Sequence, residues 1–292
     1  MRKIFTFGLI AVLASLFMIS CNKSDDSLGE SNQGENNNPK DNGQTDDKVA
    51  FVYKVLVEDF TGTWCQYCPA VTRALQRAKN ADTPLKERFV VVAIHNGNRK
   101  EPMEIIESYG LINHFKKLPN LNFQGFPWLI FNRNQELRAF NAPTRIFERL
   151  EKTPTSPIGI KISSQLNTTG GNVSVSFKTT ENLEGLKYHI FVTQDNLIYS
   201  QSDYQQGGKY DHNFKHDEVL RSVYGKTSGN ELGTLTKGQE VTKGNQQVSY
   251  ELLQHTDLDK VKVVVFVTNA AGAVVNVQEA KANQTKDYEY VK

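Results

Sequence analysis

Apolar residues fall into three regimes along the 292-residue chain. After Arg2-Lys3, residues 4–19 form an apolar run without a charge, closed by Ser20-Cys21. This run is shorter than the ~20 apolar residues a membrane-spanning helix needs. Its basic, apolar and small-residue regions follow the order of a secretory signal. Residues 22–48 then contain almost no apolar side chain. Such a segment buries too little surface to offset the entropy of ordering, which predicts a flexible polar tether.

From residue 49 to 153 the pattern alternates between strand and helix periods. Residues 51–60 are rich in Val, Phe, Leu and Tyr and predict a strand. Val71, Leu75 and Ala78 lie at helical spacing after Pro69, a residue tolerated in a first helical turn, so 69–79 predicts a helix. The unbroken apolar run 89–95 predicts a central strand buried on both faces. Further expectations are a helix over 104–115, a strand over 128–132, its hairpin partner over 136–140 and a helix over 144–152. The order β-α-β-α-β-β-α predicts an α/β domain over 49–153 with a partly parallel sheet.

Pro154-Thr155-Ser156-Pro157 breaks this pattern. Alternating segments follow at 158–166, 173–179, 188–193, 248–253, 261–268 and 274–281. Hairpin signals lie at Thr169-Gly170-Gly171-Asn172 and Asn269-Ala270-Ala271-Gly272. Six or seven strands without helices predict an all-β sandwich of immunoglobulin or fibronectin type over 158–292. Residues 200–245 are polar and Gly-rich with Tyr204, Tyr210 and Tyr224, and predict a long functional or irregular loop.

Charge changes this picture little. The net charge is +2, and no basic patch is interleaved with aromatics, so nucleic acid is not an expected partner. The tether holds seven acids against three lysines, net −4. Met18-Ile19-Ser20-Cys21 resembles a bacterial lipobox, which implies that residues 1–21 end in a lipidated Cys21. Ser24-Asp25-Asp26 resembles the acidic signals that route some Gram-negative lipoproteins to the cell surface. The expected location is the outer membrane, lipid-anchored, on its periplasmic or cell-surface side.

With Cys21 assigned to lipid, Cys65 and Cys68 are the remaining cysteines of an exported chain, where disulfides persist. Zinc would need four ligands, with His95, His212 or His216 recruited from a distance. A purely structural bridge over so short a loop gains little chain entropy. Redox use suits the spacing best, because a helix N-terminus favours the first thiolate and the second thiol sits one turn on.

Asp59, Phe60 and Trp64-Cys65-Gln66-Tyr67-Cys68 after a strand, with Gly125-Phe126-Pro127-Trp128 before another, resemble the thioredoxin superfamily. The resemblance implies a thioredoxin-like fold for 49–153 and a catalytic set of Cys65, Cys68 and Asp59. Cys65 would be the attacking thiol, Cys68 the resolving thiol, and Asp59 a buried proton acceptor. It also implies a cis Phe126–Pro127 bond and a substrate surface of Trp64, Phe126 and Pro127. Gln66-Tyr67 differs from the Gly-Pro of reducing thioredoxins and leaves the direction of electron flow open.

The lipobox, tether, cysteine motif and C-terminal β segment together are similar to the twenty-eight-kilodalton outer-membrane-protein family. Residues 212–221 resemble a His/Asn then Val-Leu-Arg signature in its β portion, without an attached role. Two functions are therefore expected. One is a lipid-anchored thiol-disulfide oxidoreductase acting on protein or peptide thiols with a separate redox partner. The other is an outer-membrane interaction lipoprotein with a structural Cys65–Cys68 disulfide on a thioredoxin-like scaffold. No cofactor and no metal are expected: His212 and His216, four apart, could share a helical face and with Asp217 hold a metal, but solvated loop histidines are the commoner case.

Overall fold

The computed structural model describes residues 50–97 and 101–292. The expected signal segment and tether, with Cys21, lie outside the described residues. The chain begins with β1 (Phe51–Val52) and β2 (Val55–Thr61), then α1 (Cys68–Lys79) and β3 (Phe89–His95). Next come α2 (Ile106–Phe115), the hairpin β4 (Trp128–Phe131) and β5 (Gln135–Leu137), and α3 (Ala142–Lys152). The periodicity predicts these elements within a few residues, except that the single strand expected over 51–60 is broken at Tyr53-Lys54 into β1, paired with Thr155-Ser156, and β2, paired with β3. β2 and β3 are buried along their whole length, as unbroken apolar runs require.

After β6 (Thr155–Ser156) come three long strands, β7 (Ile158–Asn167), β8 (Gly170–Thr179) and β9 (Leu183–Gln194). The short strands β10 (Leu197–Ile198), β11 (Gln201–Asp203), β12 (Lys209–Asp211) and β13 (Lys215–His216) lead to β14 (Val219–Val223). The chain closes with β15 (Asn230–Leu235), β16 (Glu240–Ser249), β17 (Val261–Thr268) and β18 (Val274–Lys281). Residues 200–245, expected as a loop, thus hold six strands. Residues 250–253, expected in a strand, follow the end of β16.

The fold is β-rich. Its largest sheet runs β18-β17-β9-β14-β3-β2-β4-β5, with β15 also paired to β9. The segments expected as separate domains, 49–153 and 158–292, share this sheet and fall in one compact unit. The physical reason is that β14 pairs parallel to β3, Val219 opposite Ala93, and antiparallel to β9. The edge of β3 is thereby joined at Ala93 by the later half of the chain. One core packs α1 and α3 against the sheet through Val71, Leu75, Ile146 and Leu150. Another joins Leu111 and Phe115 of α2 to Phe191, Val264 and Phe266 from the later half. The sheet β16-β8-β7 stacks on β9, β15 and β17 over a third core.

A buried ion pair knits the halves together. In the tight β4–β5 turn, Asn132 and Arg133 adopt φ 47° and 60°. Arg133 donates to both oxygens of the Glu58 carboxylate, at 3.0 and 2.7 Å. Its guanidinium lies 4.5 Å from the ring centre of Phe266 on β17. Arg133→Met should destabilise the protein by about 3–5 kcal/mol, because Glu58 is left buried and unpaired. Adding Glu58→Leu should recover part of that loss in denaturant unfolding; a double variant as unstable as the sum of both singles would contradict this reading.

Candidate functional site

The loop between β2 and α1 carries Trp64, Cys65 and Tyr67, and Cys68 opens the helix with Pro69 behind it. Cys65 and Cys68 form a disulfide with Cα atoms 5.4 Å apart. Both cysteines are buried, whereas Trp64 and Tyr67 are about half exposed, at 48% and 52%. The Trp64 indole donates to the carbonyl of Asn96 at 3.0 Å. A Cβ at either Gly62 or Gly97 would stand 2.5 Å from that indole nitrogen, so both positions are held open for it. Phe126 meets Trp64 edge-on at 5.3 Å, and the Phe126–Pro127 bond is cis. Tyr67, Val71, Phe126 and Pro127 help to line a groove of about 220 Å³.

Residues 201–204 clamp the cysteine loop. Ser202 N donates to the carbonyl of Thr63 and Tyr204 N to that of Gln66, both at 2.8 Å. The Gln201 amide donates to the carbonyls of Gly62 and Cys65 at 3.2 and 3.0 Å. Arg73 of α1 grips Asp203 in a two-pronged pair at 2.8 and 3.0 Å and holds its carboxyl below the usual range. The Tyr204 ring packs on Tyr67 with centres 5.2 Å apart. The same loop is tied elsewhere by Glu101, whose carboxylate accepts from Thr63 N and Thr63 Oγ1, each at 2.7 Å. Burial alone would raise the Glu101 carboxyl, but hydrogen bonds from His95 and Thr63 outweigh it and lower its proton affinity.

Asp59, on β2, is 3% exposed, and its Oδ1 has no protein hydrogen-bond partner. Burial, reinforced by the nearby Glu218 carboxylate, pushes its carboxyl up to about 7. It is thus a carboxyl able to take up and release a proton near neutrality.

A family model described as outer membrane protein Omp28 matches residues 116–286, more than half of the chain. The chain belongs to the Omp28 outer membrane protein family. Among solved structures, HBP35 of Porphyromonas gingivalis is similar to this Omp28-family chain with a TM-score of 0.61 and 17% identity. That alignment covers 81% of this chain and 77% of HBP35 and shows a shared fold. Protein AGR_C_4864 from Agrobacterium tumefaciens aligns at 16% identity and a TM-score of 0.49, over 80% of this chain and 97% of that one. No curated protein matches the chain.

Cys65, Cys68, Trp64, Phe126 and Pro127 are thus gathered in one place of this Omp28-family chain, and Asp59 lies at the end of β2 that feeds them. Cys21 lies outside the described residues. His95 and Asn96 adjoin the site as tethers of Glu101 and Trp64. The helical reading of His212 and His216 is corrected. His216 is in β13, buried against His95 and pushed down to about 3 by burial, while His212 contacts Ser200 Oγ at 2.8 Å. Arg73, Glu101, Gln201 and Glu218 escaped the sequence reading; the unusual length of 200–245 was the signal pointing to Gln201 and Glu218.

The Asp59 proton has a stability consequence. An unfolded Asp ionises near 4 and the folded one near 7, so within that window the native state holds the extra proton. Its contribution to stability is present at low pH and falls as pH rises through the window, by up to about 4 kcal/mol. Wild type should therefore lose stability relative to Asp59→Asn between pH 4 and 8 in denaturant titrations. A constant difference across that range would show that Asp59 titrates normally.

Proposed function

We propose that this Omp28-family chain is an outer-membrane interaction lipoprotein, anchored through a lipid on Cys21. In this reading a thioredoxin-like scaffold carries Cys65–Cys68 as a stable disulfide. The observation that carries it is the clamp: the backbone of residues 202–204 is hydrogen-bonded to the cysteine loop, and Asp203 is locked by Arg73. A disulfide opens when a thiolate approaches a sulfur along its bond axis, and the flank taken up by the clamp is lost to a bulky thiol. Recognition then falls to the exposed aromatics around the disulfide, Trp64, Tyr67 and Tyr204, and to the β-rich half. Exposed aromatic groups of this kind are common at protein and peptide contacts.

A second reading keeps its own support. Asp59, whose buried Oδ1 has no protein partner, and the cis Pro127 are what a thiol-disulfide oxidoreductase would use, with Cys65 attacking, Cys68 resolving, Trp64 covering and Phe126-Pro127 positioning a peptide.

Equilibration with a dithiol of known potential decides between them. The interaction reading predicts a potential below about −300 mV and slow alkylation of reduced Cys65. A value between about −270 and −120 mV, with rapid alkylation at neutral pH, would replace it by the oxidoreductase reading. Asp203→Ala should release the clamp and speed reduction by a small phosphine about tenfold, matching the loss of ~1.4 kcal/mol of charge-assisted hydrogen bonding.

A further inference from the structure

Asp59 faces a cavity of about 320 Å³ whose wall is built by both halves of the chain. Lys79 comes from α1, Ala93 from β3, and Lys215, Asp217 and Glu218 from the segment that enters β14. Asp59 and Val219 stand on either side of Ala93 in the sheet, and Glu218, the residue before Val219, lines the same cavity as Asp59.

Glu218 is held there from every side. Its backbone is left-handed, φ 56°, a conformation that a non-glycine residue adopts at a cost and that clusters at functional positions. Its amide donates to Asp195 Oδ1 and its carbonyl accepts from Ala93 N, both at 2.8 Å. Its carboxylate pairs with Lys79 and stands 3.9 Å from Lys262 Nζ. Three acid side chains thus line one small cavity; Glu218 is paired with Lys79 and Asp217 with Lys215 at 3.2 Å, whereas the buried Asp59 Oδ1 has no protein partner.

We propose that Glu218 is a positioning residue for the Asp59 proton: its carboxylate sets how tightly Asp59 holds that proton, and their shared cavity is the proton's way to solvent. A like charge nearby disfavours ionisation of its neighbour, and the Asp59 carboxyl is displaced in that direction, by burial first and by Glu218 second. The charged groups that face the pair are Lys79 from α1, Lys262 from β17, Asp195 after β9, and Lys215 and Asp217 at β13. Burial, the largest influence, raises Glu218 as well, with Lys79 and Lys262 acting against that rise. The cavity shares Lys215, Asp217 and Glu218 with a neighbouring cleft that reaches the exposed Asp259, which gives the proton an outlet. The inference rests on neither reading of the disulfide, because Asp59 titrates in the oxidised protein.

The test is a carbon-13 NMR titration of the Asp59 carboxyl in the full chain with the disulfide intact. Glu218→Gln should move the Asp59 midpoint down by about one unit, a tenfold loss of proton affinity, since it removes the like charge and leaves two lysines unbalanced. Lys79→Met should move it up by a similar amount, and decides the matter alone if Glu218→Gln does not fold. A midpoint that stays within about 0.3 units of wild type in folded variants, or that moves in the opposite direction, overturns the proposal.

Discussion

The placement of β14 between β3 and β9 is the constraint on which the rest of the molecule depends. β3 would otherwise present a row of unpaired backbone groups at the edge of a four-stranded sheet, a costly and aggregation-prone arrangement. Parallel pairing of Val219 with Ala93 occupies that edge at Ala93 and makes one sheet of the two halves. It also places Phe191 and Phe266 in the same core as α2, so that neither half buries its apolar surface alone. The Glu58–Arg133 pair stacked on Phe266 is a polar extension of the same junction.

The surroundings of the disulfide follow from this junction. The chain between β9 and β14 must cross the end of the sheet where β2 gives way to the cysteine loop. On the way it leaves residues 201–204 hydrogen-bonded to that loop, and on return it brings Glu218 beside Asp59. Each neutral hydrogen bond of the clamp is worth roughly 1 kcal/mol net, and the Arg73–Asp203 pair about twice that. The clamp as a whole therefore exceeds thermal energy several-fold, and Cys65 sits beneath a covered flank. The opposite flank, with the cis Pro127 and the groove beside Tyr67, remains open. Trp64, Tyr67 and Tyr204 stay exposed around the disulfide, while Asp59 retains an acid's ability to exchange a proton near neutrality.

Much of this was legible in the chain. The apolar runs at β2 and β3, the proline-led start of α1 and the Phe126-Pro127 pair are local signals, and local signals survive folding. The strands within 200–245 were hidden because they are short and polar; β16, Glu240–Ser249, is largely exposed and has little apolar alternation to detect. The union of the halves was hidden because it rests on pairings more than a hundred residues apart in sequence, such as Ala93 with Val219. Glu218 lay within a stretch singled out for its histidines, but its meaning comes from a backbone conformation and a cavity that only the folded chain possesses. Gln66-Tyr67 bore the question of redox direction, and the structure adds that Gln66 and Tyr67 are where the clamp attaches.

The central claim is that residues 201–204 stay docked on the cysteine loop in the resting protein. Native-state hydrogen exchange at the Ser202 and Tyr204 amides tests it most directly, since those two protons are committed to Thr63 and Gln66. Docking predicts exchange slowed at least a hundredfold relative to an unstructured peptide, and faster exchange when Arg73 is replaced by alanine. Free-peptide exchange rates at both amides in the wild-type oxidised protein would contradict it.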